Sequence, residues 1–121
     1  MNRIVISLPW PHKDLSPNAR VHWTKKSRAA KAYRKAGHVL TKASGAKVDW
    51  EGEVILWITF FPPDRRARDD DNLIAGFKNC RDGIADALGV DDKRFRMHPY
   101  VSDVVKPGGC VEVVITRGPE A

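Results

Sequence analysis

Residues 2–8, Asn-Arg-Ile-Val-Ile-Ser-Leu, alternate in polarity and are rich in Ile and Val. A period near two predicts a β-strand. Pro9, Pro11 and Pro17 then hold the chain in an extended loop, because proline fixes φ and restricts the residue before it. From about Thr24 to Ala43 the pattern predicts a helix. Thr24 or Ser27 can cap its start, Gly37 weakens its middle and Gly45 lies just past its end. Residues 52–61, Gly-Glu-Val-Ile-Leu-Trp-Ile-Thr-Phe-Phe, form the clearest strand, and Pro62-Pro63 stops it. After a polar stretch, a second helix is predicted from roughly Asn72 to Leu88. Its apolar Leu73, Phe77, Ile84 and Leu88 suit one buried face, and Gly89 ends it. Residues 99–105 and 110–116 read as two strands joined in a hairpin by Lys106-Pro107-Gly108-Gly109. The order β-α-β-α-β-β predicts an α/β (α+β) fold, a mixed sheet with two helices against it.

Composition narrows the class. A chain of 121 residues fits one domain, 1–121, and its sequence contains no repeat or linker. The net charge of +6 favours a polyanionic partner, of which nucleic acid is the commonest. No apolar run has the length of a membrane span. The first eight residues, followed at once by Pro9, do not read as a signal peptide. Cys80 and Cys110 form no Cys-x-x-Cys and no zinc spacing, so both are expected as free thiols in a reducing cytoplasm.

Asp69, Asp70 and Asp71 stand together where a loop meets a helix. Close carboxylates repel unless a cation compensates. One reading is an acidic cap for the helix dipole. The other is a metal site: in an extended segment Asp69 and Asp71 share a face with Asp70 opposed, and two converging carboxylates can hold Mg²⁺. Asp91-Asp92 comes one helix later, either as a solvated turn or as a further part of the same site. A helix of about seventeen residues spans roughly 25 Å, so the pairs meet only if the chain returns.

Between Leu15 and Val48 there are nine Lys or Arg and no acidic residue. Lys31, Arg34, Lys35 and Lys42 lie at helical spacings and make a basic stripe. It is either a solvated helix face or a surface that neutralises phosphates. Arg65, Arg66 and Arg68 immediately precede the aspartates. They either balance those charges or grip an anion over a metal, since Arg forks match phosphate oxygens. Lys93, Arg94 and Arg96 repeat the arrangement after the second acidic pair. Trp10, Trp50 and Trp57 read as core or interface rather than base-stacking residues. His12, His22, His38 and His98 form no triad with Ser or Cys, which leaves side-chain nucleophilic catalysis unsupported.

Leu8-Pro9-Trp10-Pro11, the block Pro63 to Leu73 with its Arg68-Asp69-x-Asp71-Asn72-Leu73 centre, the Asp91-Asp92 pair and the closing strand 111–116 together resemble the RusA family of Holliday junction resolvases. The resemblance spans nearly the whole chain. It implies a compact mixed α/β subunit, a homodimer, bacterial or phage origin, and Mg²⁺-dependent cleavage of branched DNA, with Mn²⁺ as a possible substitute. It implies that Asp69 and Asp71 are paired catalytic metal ligands and Asp92 the third, with Asp91 a less critical neighbour. It places Arg65, Arg66 and Arg68 against DNA; from the stripe, by its spacing, Lys31, Arg34 and Lys35 are expected as further DNA contacts. One departure stands out. The family lysine after Asn-Leu falls on Ala75, and Lys78 comes three residues later. Lys78, seven residues after Asp71 and so on about the same helix face, is carried as its replacement.

The expected chemistry is phosphodiester hydrolysis, with a divalent ion lowering the pKa of an attacking water and Lys78 stabilising developing charge. Two other readings remain: a branched-DNA-binding protein without catalysis, which the displaced lysine favours, and a nuclease for other branched phage DNA.

Overall fold

The computed structural model describes residues 4–119. β1 (Val5–Pro9), α1 (Trp23–Ser44), β2 (Val54–Phe61), α2 (Asp70–Leu88), β3 (Phe95–Val101) and β4 (Cys110–Arg117) follow the predicted order, with short 3-10 turns at Lys13–Leu15 and Asp92–Arg94 interposed. Asn2 and Arg3, included in the first predicted strand, lie outside the described residues.

The strands form one mixed four-stranded sheet in the order β1-β4-β2-β3. Alternation decides which face is covered. Ile6, Leu8, Val54, Leu56, Ile58, Phe60, Val111 and Val113 are all buried on one face. Both helices belong to that side: Phe77 of α2 meets Tyr33 of α1 and Phe60 of β2 edge-on, with ring centroids 6.1 and 5.8 Å apart. The other face carries Trp57, 44% exposed, its ring stacked on His98. Trp10 and Trp50 pack on the rim of the core. Tyr33 is core, and Val39 is exposed.

The helices approach closely because glycine stands at their crossing. A Cβ on Gly83 would fall on the Arg34 carbonyl, and one on Gly37 on the Cys80 carbonyl. Gly37 therefore lowers helix propensity locally in exchange for this approach. Arg34 locks the pair through two hydrogen bonds to Asp86, 2.8 and 3.1 Å. The cap of α1 is neither Thr24 nor Ser27: His22 takes that position, and its Nδ1 accepts from the Thr24 N–H.

The predicted hairpin is replaced by a crossover. The third strand begins at Phe95 rather than residue 99, and it pairs in parallel with β2, Val54 opposite Phe95 through Phe60 opposite Val101. β4 pairs antiparallel with β2 and β1, and not with β3. As an edge strand β3 buries only Phe95 fully, so it lacks the alternation that would have announced it, and it tolerates Pro99 where a central strand would not. Residues 102–109 run past the end of β2, with Ser102 N–H on Phe60 O and Lys106 N–H on Pro62 O. The turn at 106–109 does form, with Gly108 and Gly109 at positive φ, but it delivers β4 to the far side of β2.

Candidate active site

The β2-α2-β3 crossover fixes where each acidic group lies. A parallel connection must carry the chain from the end of one strand back to the start of the next. Asp69–Asp71 therefore follow the end of β2, and Asp91-Asp92 precede the start of β3, at the opposite end of α2. With 19 residues in α2, the two clusters are separated by about 28 Å of helix. Within one chain Asp92 does not join Asp69 and Asp71, as the expected three-ligand set required. Among the described residues no three His, Cys, Asp or Glu side chains gather as a metal-holding group.

The loop before α2 is braced from within. Asp64 accepts from the Arg66 N–H at 2.9 Å and from Arg68 at 2.6 Å. That backbone N–H first, then the Arg68 guanidinium, holds the Asp64 carboxyl below the usual range. Arg68 also donates to the carbonyls of Asp64 and Arg66 and lies over the Trp10 ring. Of the three expected DNA contacts, Arg68 is thus committed to the loop. Arg65 and Arg66 are exposed and line an open cleft of about 520 Å³ together with Asp64, Asp70 and Asp103.

Asp69 is the N-cap of α2, and one carboxylate oxygen accepts from the Asp71 N–H at 2.9 Å. The extended alternation expected through Asp71 stops here, since Asp70 and Asp71 are already helical. The helix-capping reading of this cluster and the metal reading meet in one residue. Asp70, expected on the face opposed to Asp69 and Asp71, lines the arginine cleft. Asp69 and Asn72 line a second cavity on the other side. Mg²⁺ is commonly held by one or two carboxylates completed by water and substrate phosphate. Asp69 keeps one oxygen beyond its capping bond, and Asp71 is exposed beside it. These two carboxylates suit part of such a shell.

Lys78 is exposed, two turns beyond Asp71 and about 10 Å along the axis. Asp91 caps the 3-10 turn through the Lys93 N–H, which holds its carboxyl below the usual range. Asp92 receives a hydrogen bond from Arg81 at 3.3 Å, and Arg81 also binds Asp82 at 3.0 Å. Sequence reasoning missed Arg81, because only the crossover brings α2 beside the turn that precedes β3. On α1, Lys31, Lys35 and Lys42 are exposed as the stripe predicts, whereas Arg34 is spent on Asp86.

No protein-family model matches the chain. A protein of the bacterium Xylella fastidiosa, described as uncharacterized, is 53% identical over 114 residues, covering 92% of this chain and 74% of that protein. The chain belongs to the family of that Xylella protein. The relative's description names no activity, so the chemistry rests on the side chains. No helix among the described residues is long and apolar enough to cross a membrane. Cys80 and Cys110 are free thiols.

Proposed function

We propose that this protein is a RusA-like, Mg²⁺-dependent endonuclease that resolves Holliday junctions by phosphodiester hydrolysis in recombination and repair, in a bacterial or phage-infected cytoplasm. The observation that carries the reading is the pairing of two neighbouring carboxylates, Asp69 and Asp71 at the start of α2, with the exposed guanidinium groups of Arg65 and Arg66 in the adjoining cleft. Carboxylates serve a divalent ion and guanidinium groups serve the phosphates around it.

Asp69 and Asp71 hold the metal, which when bound supplies an activated water and charge neutralisation at the scissile phosphate; Mn²⁺ can replace Mg²⁺. Arg65 and Arg66 orient the strand. Lys31 and Lys35 on α1 hold duplex arms through their phosphates. Lys78 is placed to stabilise charge farther along the same helix.

Geometry also argues for a homodimer. Asp92 lies a helix length from Asp69 in its own chain, so it completes the ligand set only when supplied by a second copy. A two-fold pair would then carry two equivalent sites, matching two symmetric cuts. Asp71→Asn is expected to abolish Mg²⁺-dependent cutting of a synthetic four-way junction while junction binding persists. Undiminished cutting would sink the reading.

A second reading, a branched-DNA binder without catalysis, draws on the ion pair that holds Asp92 to Arg81. Tight junction binding with no cutting under Mg²⁺ or Mn²⁺ would favour it. Flaps, forks and linear duplex tested beside the junction separate resolution from cleavage of other branched phage DNA.

A further inference from the structure

Half of the cavity beside Asp69 is built from the loop after β1, whose His12, Lys13 and Ser16 have no function attached so far. Its volume is about 260 Å³, and its walls include His12, Lys13 and Ser16 from the loop after β1, with Asp69 and Asn72 from the start of α2. Gly76 faces that loop, and a Cβ there would make ordinary contact with Pro11 at 3.5 Å.

The hydrogen-bond bookkeeping of this wall is one-sided. The Asp14 N–H donates to His12 Nδ1 at 3.0 Å, so His12 caps the 3-10 turn. The Asp14 carboxylate lies 3.6 Å from the same nitrogen; with Nδ1 accepting from the Asp14 N–H, the proton of the neutral ring is on Nε2, which is left to donate. Ser16 Oγ accepts from the Asn18 N–H and keeps its own proton. The Lys13 ammonium and the Asn72 amide bring further donors, and neither side chain is hydrogen-bonded to the described residues. Asp69 supplies the single carboxylate of the wall, and the Asp71 N–H already occupies one of its oxygens. His12, Lys13, Ser16, Arg68 and Asn72 can each donate into a wall that is otherwise mainly apolar, against one half-used carboxylate, and this balance favours a ligand with an anionic, oxygen-rich end and an apolar side. The volume falls below the roughly 300–1,000 Å³ of sites for drug-sized ligands, which suits a phosphate and part of its sugar. Trp10, Pro11 and Leu73 give that sugar an apolar wall.

We infer that this cavity seats a backbone phosphate of the bound strand, with His12 Nε2–H and the Lys13 ammonium as its principal donors and the Asn72 amide as a third. The phosphate chemistry rests on the cavity alone; its assignment to a DNA strand rests on the nuclease reading. His12 and Lys13 act as binding groups that fix the strand's register against Asp69, not as proton carriers.

The probes are the dinucleotide TpT, which has one phosphodiester, inorganic phosphate, and thymidine as the phosphate-free control. The readout is the NMR shift of the His12 ring and of the Asn72 side-chain amide. The comparison variant is His12→Asn with Lys13→Met: the Asn oxygen still accepts from the Asp14 N–H and preserves the turn. TpT is expected to shift both resonances saturably and thymidine to leave them in place. The double variant should weaken TpT binding, read at Asn72, at least tenfold with an unchanged melting temperature. Absence of TpT shifts, equal shifts with thymidine, or equal affinity in the variant would overturn the inference. Response to inorganic phosphate without response to TpT would also overturn it, by showing a site for free anions only. Junction cutting by the unaltered protein is scored separately. TpT binding at this cavity without any cutting would retire the nuclease reading and leave the phosphate site standing.

Discussion

Arg81 reaches Asp92 across eleven residues of sequence, its Nη2 3.3 Å from Asp92 Oδ2, while the same nitrogen lies 3.0 Å from Asp82. The Arg81 side chain is mostly covered, and its Nε is buried without a partner. One cation thus tethers the turn before β3 to α2. Arg81→Gln keeps much of the stem but removes the charge. It should cost about 1.5–3 kcal/mol, the scale of a hydrogen bond to a charged group, measured by urea unfolding. A variant as stable as the parent would show that the tether contributes nothing.

Asp69 offers a way to separate capping from chemistry. Asn at an N-cap serves nearly as well as Asp, whereas Ala loses about 1 kcal/mol. Asp69→Asn should therefore leave thermal stability almost unchanged and abolish metal-dependent cutting. Asp69→Ala should lose both. If Asp69→Asn cuts junctions at the parental rate, the carboxylate is a cap and nothing more.

Gly83 tests the helix crossing. Its Cβ position is occupied by the Arg34 backbone carbonyl, and backbone cannot swing aside as a side-chain tip can. Gly83→Ala gains helix propensity, worth about 1 kcal/mol, yet overpacking against fixed backbone, at the upper end of about 1–3 kcal/mol, should leave the fold destabilised by about 1–2 kcal/mol net. A rise in melting temperature would contradict this geometry.

The Arg34–Asp86 pair has a defined pH signature. The Arg34 guanidinium, by hydrogen bond first and charge second, holds the Asp86 carboxyl below its ordinary value. A depressed folded-state pKa contributes stability above the unfolded value of about 3.9, and this is lost as pH falls through the folded value. The melting-temperature gap between the parent and Arg34→Met should be open at pH 7 and close in acid. Both side chains are substantially exposed, so the gap should also shrink with salt. A gap that widens in acid would refute the assignment.

The cysteines should differ sharply in reactivity. Burial pushes the Cys80 thiol up to about 12, so at pH 8 only about one part in ten thousand is thiolate. Cys110 is partly accessible. An alkylating reagent should label Cys110 in the native protein and reach Cys80 only after unfolding. Labelling of native Cys80 at a comparable rate would show the core opening.

The sequence by itself determined the elements whose signals are local. Residues 54–61 are recognisable as a strand because they form an almost unbroken run of β-branched, aromatic and aliphatic residues closed by Pro62-Pro63, although which side faces the helices is set by the fold. Gly45 and Gly89 mark helix ends because a left-handed backbone favours glycine. The aspartate block and its arginines were equally legible as a concentration of charge.

What only the tertiary structure decided are the relations between elements. β3 was misplaced by four residues because an edge strand buries too little to alternate. Its pairing with β2 in place of β4 follows from the α2 crossover, which no local pattern encodes. That crossover sets Asp92 a helix length from Asp69, brings Arg81 to Asp92 and commits Arg34 to Asp86. It also seats α2 under the loop that carries His12 and Lys13. Periodicity reports which side of an element is buried; only the path of the chain reports what it is buried against, and therefore which charges meet.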